Sequence, residues 1–391
     1  MIDICHVQVL PIMSGVQRAM LEMLRHVDRR RYRPHVVCQG PGALPDELRR
    51  LDIPCHIVPS LVRPILPWRD MQAYRALVTL FRRHEFQLVH THSSKPGILG
   101  RIAARHAGVP VVVHHAHAFA FHEFTPRPQR AVYSLMERWA GGYGDHVIFV
   151  NHEERELAVR EKLLPAAKCL TIHNGVDLAP YSLEEHDRCR AKFRTDHQLD
   201  DDETAILFSG RIDVPKQPLL LPKIAAALDR RLPTSRWRLF IAGAGPMEPQ
   251  MHAEIARFEM GRRIVCLGWQ QQPHPAYHGC DIAVQPSLWE GLPLSVVEAH
   301  AAGLPVVGSN VKGIREVITP ETGVLCPPRE PESFAVELAK LVENRFQRQK
   351  LSMAARRRAV AHFDGNRNMR QVAELYDRWL GGEVVKQRRA A

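Results

Sequence analysis

Twelve short apolar runs alternate with stretches of helical periodicity along this chain, and that rhythm limits the fold more than any other feature. The runs fall at 2–9, 35–38, 55–58, 87–90, 111–114, 147–150 and 169–172, then at 205–208, 237–242, 263–267, 282–285 and 305–308. Helical patterns such as 16–27, 71–83 and 216–231 lie between them. Short β-branched runs read as strands, and strands joined by helices pair in parallel with helices on both faces of the sheet. The expected fold class is therefore α/β, built from doubly wound, Rossmann-like parallel sheets. A length of 391 residues suffices for two such domains, each with its own core. The polar run 182–203 has no strand character, so the junction is expected just before or within it. Ligands of open parallel sheets bind beyond the carboxyl ends of the strands, which directs attention to the loops there and to a cleft between the domains.

The richest of those loops follows the run 282–285. It places Glu290 and Glu298 eight residues apart across the start of a helix that continues through Val296, Val297 and Ala299 to Ala302 and stops at Gly303 and Pro305. Pro293 suits the first helical turn, where its missing N–H costs nothing. If every intervening residue were helical, the rise per residue would separate the two glutamates by roughly 12 Å with a rotation of about 80°. Such a pair cannot share one proton or one metal ion. It can serve opposite ends of an extended ligand, a sugar and a ribose, with a diphosphate held on the free N–H groups and positive dipole of the helix start. Taken alone, the pair also fits an amphipathic helix with two solvated glutamates. The run 205–208 adds to the argument, because it opens through Gly210 into a loop holding Arg211 and Lys216. A planar guanidinium and a mobile ammonium together offset the charge that builds up on a departing nucleoside diphosphate.

At this point the sequence resembles the family 4 glycosyltransferases of the GT-B fold over nearly its whole length. Glu290 and Glu298 match the family's Glu-x7-Glu element, Gly210, Arg211 and Lys216 its Gly-Arg-x4-Lys element, and Asn174 to Asp177 its Asn-Gly-Val-Asp element. Gly245 in 242–246, Gly268 after 263–267, Asp281 before a strand and 313–316 follow in the family's order. The segment 89–101 looks like the bacterial capsule and exopolysaccharide members. The resemblance implies two domains facing a cleft. These are an acceptor-binding domain 1–180, completed by a C-terminal helix 364–391 that crosses back to it, and a nucleotide-sugar domain 181–363. It further implies that Glu298 binds the ribose, Glu290 lies near the transferred sugar, and Arg211 and Lys216 grip the diphosphate. Gly15, Gly210, Gly245 and Gly268 would let backbone approach the donor, and Gly291, Leu292, Pro293, Leu294 and Ser295 would form the helix start that holds it. His117 matches a family histidine beside the donor sugar, although Ala118 stands where the family usually has glycine, and Ser14 precedes Gly15 where it has a second one. His300 stands where the family often has methionine, a change read as packing. Ser94 and Lys95 fall in the acceptor region. The implied activity is transfer of a hexosyl unit, with retention, from a nucleoside-diphosphate sugar of the UDP type to a glycan carried on polyprenyl diphosphate. No metal or other cofactor and no nucleic acid are expected.

Composition agrees. No stretch of about 18 residues is both apolar and uncharged, so no membrane-spanning helix is expected. The start reads as a first strand and not a signal peptide, since it lacks a basic leader. Eight scattered cysteines contain no Cys-x-x-Cys, and Cys5, Cys38, Cys55, Cys169 and Cys266 lie in expected strands as small buried apolar residues, which suits a reducing cytoplasm. The net charge of +11 is uneven: residues 1–110 carry 16 Lys/Arg against 8 Asp/Glu, and residues 345–391 carry 12 against 4. The resemblance would bring these two segments to one side, an N-terminal domain facing the inner membrane surface, with Leu61 to Arg69 as a contact point.

Five other readings carry less. Asp200 to Glu203 contains an Asp-x-Asp pattern but no supporting ligands nearby, and His90, His92, His114, His115, His117 and His122 could converge on zinc. Gly243 and Gly245 begin a dinucleotide fingerprint, but Glu248 replaces its third glycine. A nucleotide-sugar epimerase of similar fold and a non-catalytic nucleotide-sugar-binding subunit remain alternatives to transfer.

Overall fold

The computed structural model describes residues 1–381. The chain divides into two compact units, one of Met1–Asn174 with the segment from Gly365 on, the other of Gly175–Asp364. The first unit runs β1 (Ile2–Val7), α1 (Gly15–His26), β2 (Tyr32–Cys38), α2 (Ala43–Arg50), β3 (Cys55–Ile57), α3 (Pro67–His84), β4 (Leu88–His92), α4 (Ser94–His106), β5 (Val111–Ala116), α5 (Arg127–Gly141), β6 (His146–Phe149), α6 (His152–Arg160) and β7 (Cys169–Thr171). The second begins with α7 (Leu183–Asp196) and continues through β8 (Thr204–Ser209), α8 (Leu220–Arg231), β9 (Trp237–Ala242), α9 (Glu248–Arg257), β10 (Ile264–Gly268), α10 (His274–Gly279) and β11 (Ile282–Gln285). It ends with α11 (Leu294–Ala301), β12 (Val306–Ser309), α12 (Ile314–Val317), β13 (Gly323–Cys326), α13 (Pro331–Glu343) and α14 (Arg345–His362). The helix α15 (Gly365–Gly381) then belongs to the first unit.

Both sheets are parallel throughout. The first has seven strands in the order β3-β2-β1-β4-β5-β6-β7 and the second six in the order β10-β9-β8-β11-β12-β13. In each, the winding direction reverses once, between β1 and β4 and between β8 and β11, and the crevice at such a reversal is where doubly wound sheets take ligands. The second core gathers Ile206, Phe208, Ile224, Trp237, Ile241, Val284 and Phe334 between sheet and helices. In the first unit, α15 presents Met369, Val372 and Tyr376 at helical spacing to a core with Ile4, Met23 and Val113, and all three are fully buried. Side chains of that size each stabilise the packing by about 1.5–3 kcal/mol when fully buried. Trp379 stacks on His146 at 4.2 Å, so the C-terminal helix is an integral layer of this unit.

Four expectations need correction. The junction lies at Asn174, not Tyr181 or beyond, because Val176 pairs with the departing segment at Asp364 and its N–H donates to the Phe363 carbonyl. Nor does the junction fall within the polar run 182–203, which belongs to the second unit and contains α7, whose Arg190 and Arg194 both reach Asp281 at the foot of β11. The helix expected over 216–231 starts only at Leu220, since Gln217 adopts a left-handed conformation and Pro218 follows it. Cys266 is exposed, because β10 is an edge strand. Residues 382–391, part of the helix expected over 364–391, lie outside the described residues.

Candidate active site

In the second unit, the loop after β8 and the loop after β11 flank the reversal point. They are tied together by the Leu288 N–H, which donates to the Pro215 carbonyl at 2.8 Å. Glycines allow the close approach. A Cβ on Gly245 would stand 2.4 Å from the Ile212 carbonyl oxygen, and one on Gly243 would overlap the Gly210 carbonyl. Gly313, at φ +73°, lies against the carbonyls of Glu290 and Gly291 and fixes the turn that carries Glu290. Gly268, also left-handed at φ +67°, accepts the Gly243 N–H at 2.8 Å. Gly210, Gly245 and Gly268 thus lie in one laced set of loops beyond β8, β9 and β10.

Lys216 and Glu290 meet there. The ammonium lies 2.6 Å from Glu290 Oε1, with side-chain exposures of only 17% and 11%. Ser287 Oγ donates to the same carboxylate oxygen at 2.7 Å, Gln285 Nε2 donates to Ser287, and Ser295 Oγ donates to Gln285 Oε1 at 3.1 Å. A polar chain therefore runs from the first turn of α11 to Lys216. Arg211 is more open and pairs with the buried Asp213. Glu298 lies inside α11, where the Tyr277 hydroxyl donates to its Oε2 at 2.9 Å. Burial and then the Glu298 charge hold the Tyr277 hydroxyl well above its usual pKa, so it remains a donor. Pro293 is the N-cap of α11, one position before the expected first turn, with Gly291 and Leu292 leading in and Leu294 and Ser295 as the first helical residues.

The first unit shows the same placement. Gly15 opens α1 after β1 and is exposed, while Gln17 is buried and its Oε1 accepts the Ser14 N–H. Ser94 opens α4 after β4, preceded by Ser93 at φ +65°. Lys95 is not a free cation: its ammonium lies 2.5 Å from Asp70 and also meets the Pro64 carbonyl, which pins the loop before α3. His117, just past β5, is buried, stacked on His115 at 4.4 Å, and engaged at both nitrogens. Its Nε2 lies 3.2 Å from His92 Nδ1 and its Nδ1 3.4 Å from the Asn174 amide. The chain continues from His92 Nε2 to His6 Nδ1 at 3.0 Å and from His6 Nε2 to the Tyr376 hydroxyl at 3.3 Å, which also touches His90 Nδ1 at 2.5 Å. His117, His92 and His6 each donate at one end and accept at the other, so the His117 tautomer is set jointly with the rest of the chain.

Of the histidines grouped from sequence, His90, His92, His115 and His117 converge, and His6 joins them. His114 faces Thr91, with its Nδ1 3.0 Å from Thr91 Oγ1. The sequence reading missed His6, Gln285, Ser287, Asn174 as the partner of His117, and Tyr277. His6 left no mark, since the alternation that groups His90 with His92 acts along one strand and His6 joins them only because β1 pairs with β4, His6 opposite His90. Asp200 and Asp202 pair with Arg236, and Glu203 with Arg238, which accounts for that acidic run as surface ion pairing.

Two parallel, doubly wound sheets with this loop chemistry at a reversal point have the architecture of the GT-B glycosyltransferases. The comparisons narrow this. Residues 13–180 match the model "Glycosyltransferase Family 4" and residues 190–358 the model "Glycosyl transferases group 1". An Escherichia coli protein, UDP-Gal:alpha-D-GlcNAc-diphosphoundecaprenol alpha-1,3-galactosyltransferase, is 30% identical over 381 residues, covering 96% of each chain. Anabaena Alr3699/HepE, solved with UDP and glucose, superposes with a TM-score of 0.80 at 19% identity over 96% of this chain and 100% of its own. A glycosyltransferase of Rickettsia africae ESF-5 gives 0.76 at 18% identity, over 97% of this chain and 98% of its own. The chain belongs to the family 4 glycosyltransferases, retaining enzymes that use nucleotide sugars.

Proposed function

We propose that this enzyme transfers a hexosyl unit, with retention, from a UDP-sugar to a sugar carried on polyprenyl diphosphate, in surface polysaccharide assembly at the cytoplasmic face of the inner membrane. The observation that carries the reading is the Lys216–Glu290 pair, held where the loops after β8 and β11 are tied together, in a chain similar over 96% of its length to an enzyme named for a diphosphoundecaprenol-linked acceptor.

Arg211, Lys216 and the α11 start from Gly291 to Ser295 hold the diphosphate. Glu298, oriented by Tyr277, takes the ribose hydroxyls. Glu290 and His117 take hydroxyls of the transferred sugar, and Gly15, Gly210, Gly245 and Gly268 leave room for donor atoms against backbone. Ser94 contacts the acceptor, and Lys95 shapes that region through the 61–69 loop. The acceptor hydroxyl oxygen attacks the anomeric carbon from the face on which the glycosyl–phosphate bond breaks. Its proton passes to the departing phosphate oxygen, so no side chain forms a covalent adduct. The two cations act where charge accumulates on the leaving group, which favours the transition state over the bound substrate.

Calorimetry with UDP, GDP and ADP tests the donor assignment. UDP is expected to bind best, and Glu298→Ala to weaken it about 10- to 100-fold, the range for hydrogen bonds to a charged group. Equal binding by the variant would remove Glu298 from the ribose. Product analysis with a UDP-hexose and a GlcNAc-diphospholipid then tests transfer.

The membrane part rests on the 61–69 loop and the start of α3. Ile65, Leu66, Trp68 and Met71 are exposed, Trp68 by 76%, beside exposed Arg63 and Arg69, and among the described residues no helix is long and apolar enough to span a bilayer. Aromatic and apolar tips between cations suit an anionic interface, at about 1 kcal/mol per basic residue near it. Vesicles containing anionic lipid are expected to retain the protein better than neutral ones, and Trp68→Ser to weaken retention. Equal retention by both vesicle types would refute the contact.

A further inference from the structure

The first unit carries a second histidine cluster that takes no part in the transfer chemistry. His35 in the middle of β2, His56 in the middle of β3 and His84 at the end of α3 each offer a ring nitrogen within 4.8 Å of the other two. The register explains why. Asp3 pairs with Arg33, and His56 with Val37, so Asp3, His35 and His56 all project from the sheet face that α3 covers, where the helix ends at His84. We propose that His35, His56 and His84 form a zinc site that staples the β2–β3 edge of the sheet to the C-terminal end of α3.

Three observations favour a metal over a packed trio of rings. His35 Nδ1 and His56 Nε2 already face each other at 3.0 Å, close to the separation of two ligands on one tetrahedral ion. The other His35 nitrogen, Nε2, lies 3.2 Å from Asp3 Oδ1. A carboxylate that accepts this N–H leaves Nδ1 with its lone pair toward the cluster, the arrangement that orients and strengthens metal-ligating histidines. Moving the His56 proton from Nε2 to Nδ1 then turns the ring-to-ring hydrogen bond into two ligand lone pairs. His56 and His84 are also partly exposed, which gives the ion an entry path and leaves the fourth position to water. Arg33 and Arg83 oppose a dication here, and the Asp3 carboxylate offsets part of that charge. The buried cluster of His6, His90, His92, His115 and His117 is the weaker candidate, because most of its nitrogens pair within their own chain.

The test uses the full chain after chelator treatment and dialysis, titrated with zinc alone by calorimetry and checked for metal content. One zinc per chain is expected, with a higher melting temperature, and cobalt in its place should show the visible bands of a tetrahedral ion. His84→Ala, at a partly exposed helix end, and His56→Ala should each abolish stoichiometric binding while circular dichroism shows an intact fold. Asp3→Asn should weaken binding about 10- to 100-fold. No zinc uptake by the parent chain, or uptake that survives His56→Ala and His84→Ala but not His92→Ala, would overturn the proposal. None of these readouts depends on transferase activity.

Discussion

Lys216→Ala is expected to lower kcat about 10²- to 10³-fold, the range for removing one preorganised stabiliser of a leaving anion. The loss should fall more on kcat than on KM, because charge on the diphosphate grows as the glycosidic bond breaks and the ammonium is worth most at that moment. Geometry adds a second effect. Without Lys216, Glu290 keeps Ser287 as its donor but loses its counter-charge at a position only 11% exposed. An unsatisfied partner of this kind costs about 1–3 kcal/mol, so the second unit should melt at a lower temperature as well. Ser287→Ala separates the two effects, since it removes a neutral hydrogen bond to Glu290 and leaves the cation in place. It should reduce kcat less than tenfold. Lys216→Arg keeps the charge but replaces a compact ammonium with a planar fork, and only partial recovery is expected. Steady-state kinetics with a UDP-hexose, run below each variant's melting range, decides this. A kcat for Lys216→Ala within a few-fold of the parent would remove the lysine from the chemistry.

Acid should unfold the first unit well before the second. His6, His90, His92, His114, His115 and His117 are all buried there, and burial, with neighbouring imidazoles and, for His114, Arg101 adding to it for most, drives their pKa values far down, to about 3 for His6 and His115. In the unfolded chain these rings titrate near 6.5. The folded pKa values lie below the unfolded ones. The folded state therefore gains from their neutrality above about pH 6.5 and loses that advantage as the pH falls, because only the unfolded chain takes up the protons. Each ring contributes about 1.4 kcal/mol per pH unit, so six give roughly 8 kcal/mol per unit, against a typical domain stability of 5–15 kcal/mol. The second unit holds one fully buried ring of this kind with a comparably lowered pKa, His300 at about 3. Melting followed by tryptophan fluorescence at pH 7.5, 6.0 and 5.0 is expected to split into two transitions, with Trp68, Trp139 and Trp379 reporting the first unit and Trp237, Trp269 and Trp289 the second. A single transition that hardly moves between pH 7.5 and 5.0 would show that the histidine chain takes up protons without unfolding.

The same histidines show where sequence reading stopped. Spacing along a strand says which rings share a face, but the junction of His6, His92 and His117 depends on β1, β4 and β5 being neighbours, and strand order is not written in periodicity. Tyr376 enters that chain from the far end of the polypeptide. The β13 strand was missed because Gly323 to Cys326 is short and edge-placed, too brief for a period to register. The α7 helix left no clear mark in the polar run 182–203 for a related reason: its polar surface hides a buried seam of Cys189, Phe193 and Arg194 that becomes visible only against Asp281.

What the sequence determined alone was the set of local events: twelve of the thirteen strands, the loop chemistry of Gly210 to Lys216, and two carboxylates placed before and inside one helix. Those follow from alternation, glycine and proline, whose effects act over a few residues. Tertiary structure decided everything that requires distant segments to meet. It joined Lys216 to Glu290 across 74 residues, set Tyr277 on Glu298, tied Lys95 to Asp70, and brought His35, His56 and His84 together. Pairings of that kind are selected by the reversal of strand order and by burial, which act through space and leave no local mark on the chain.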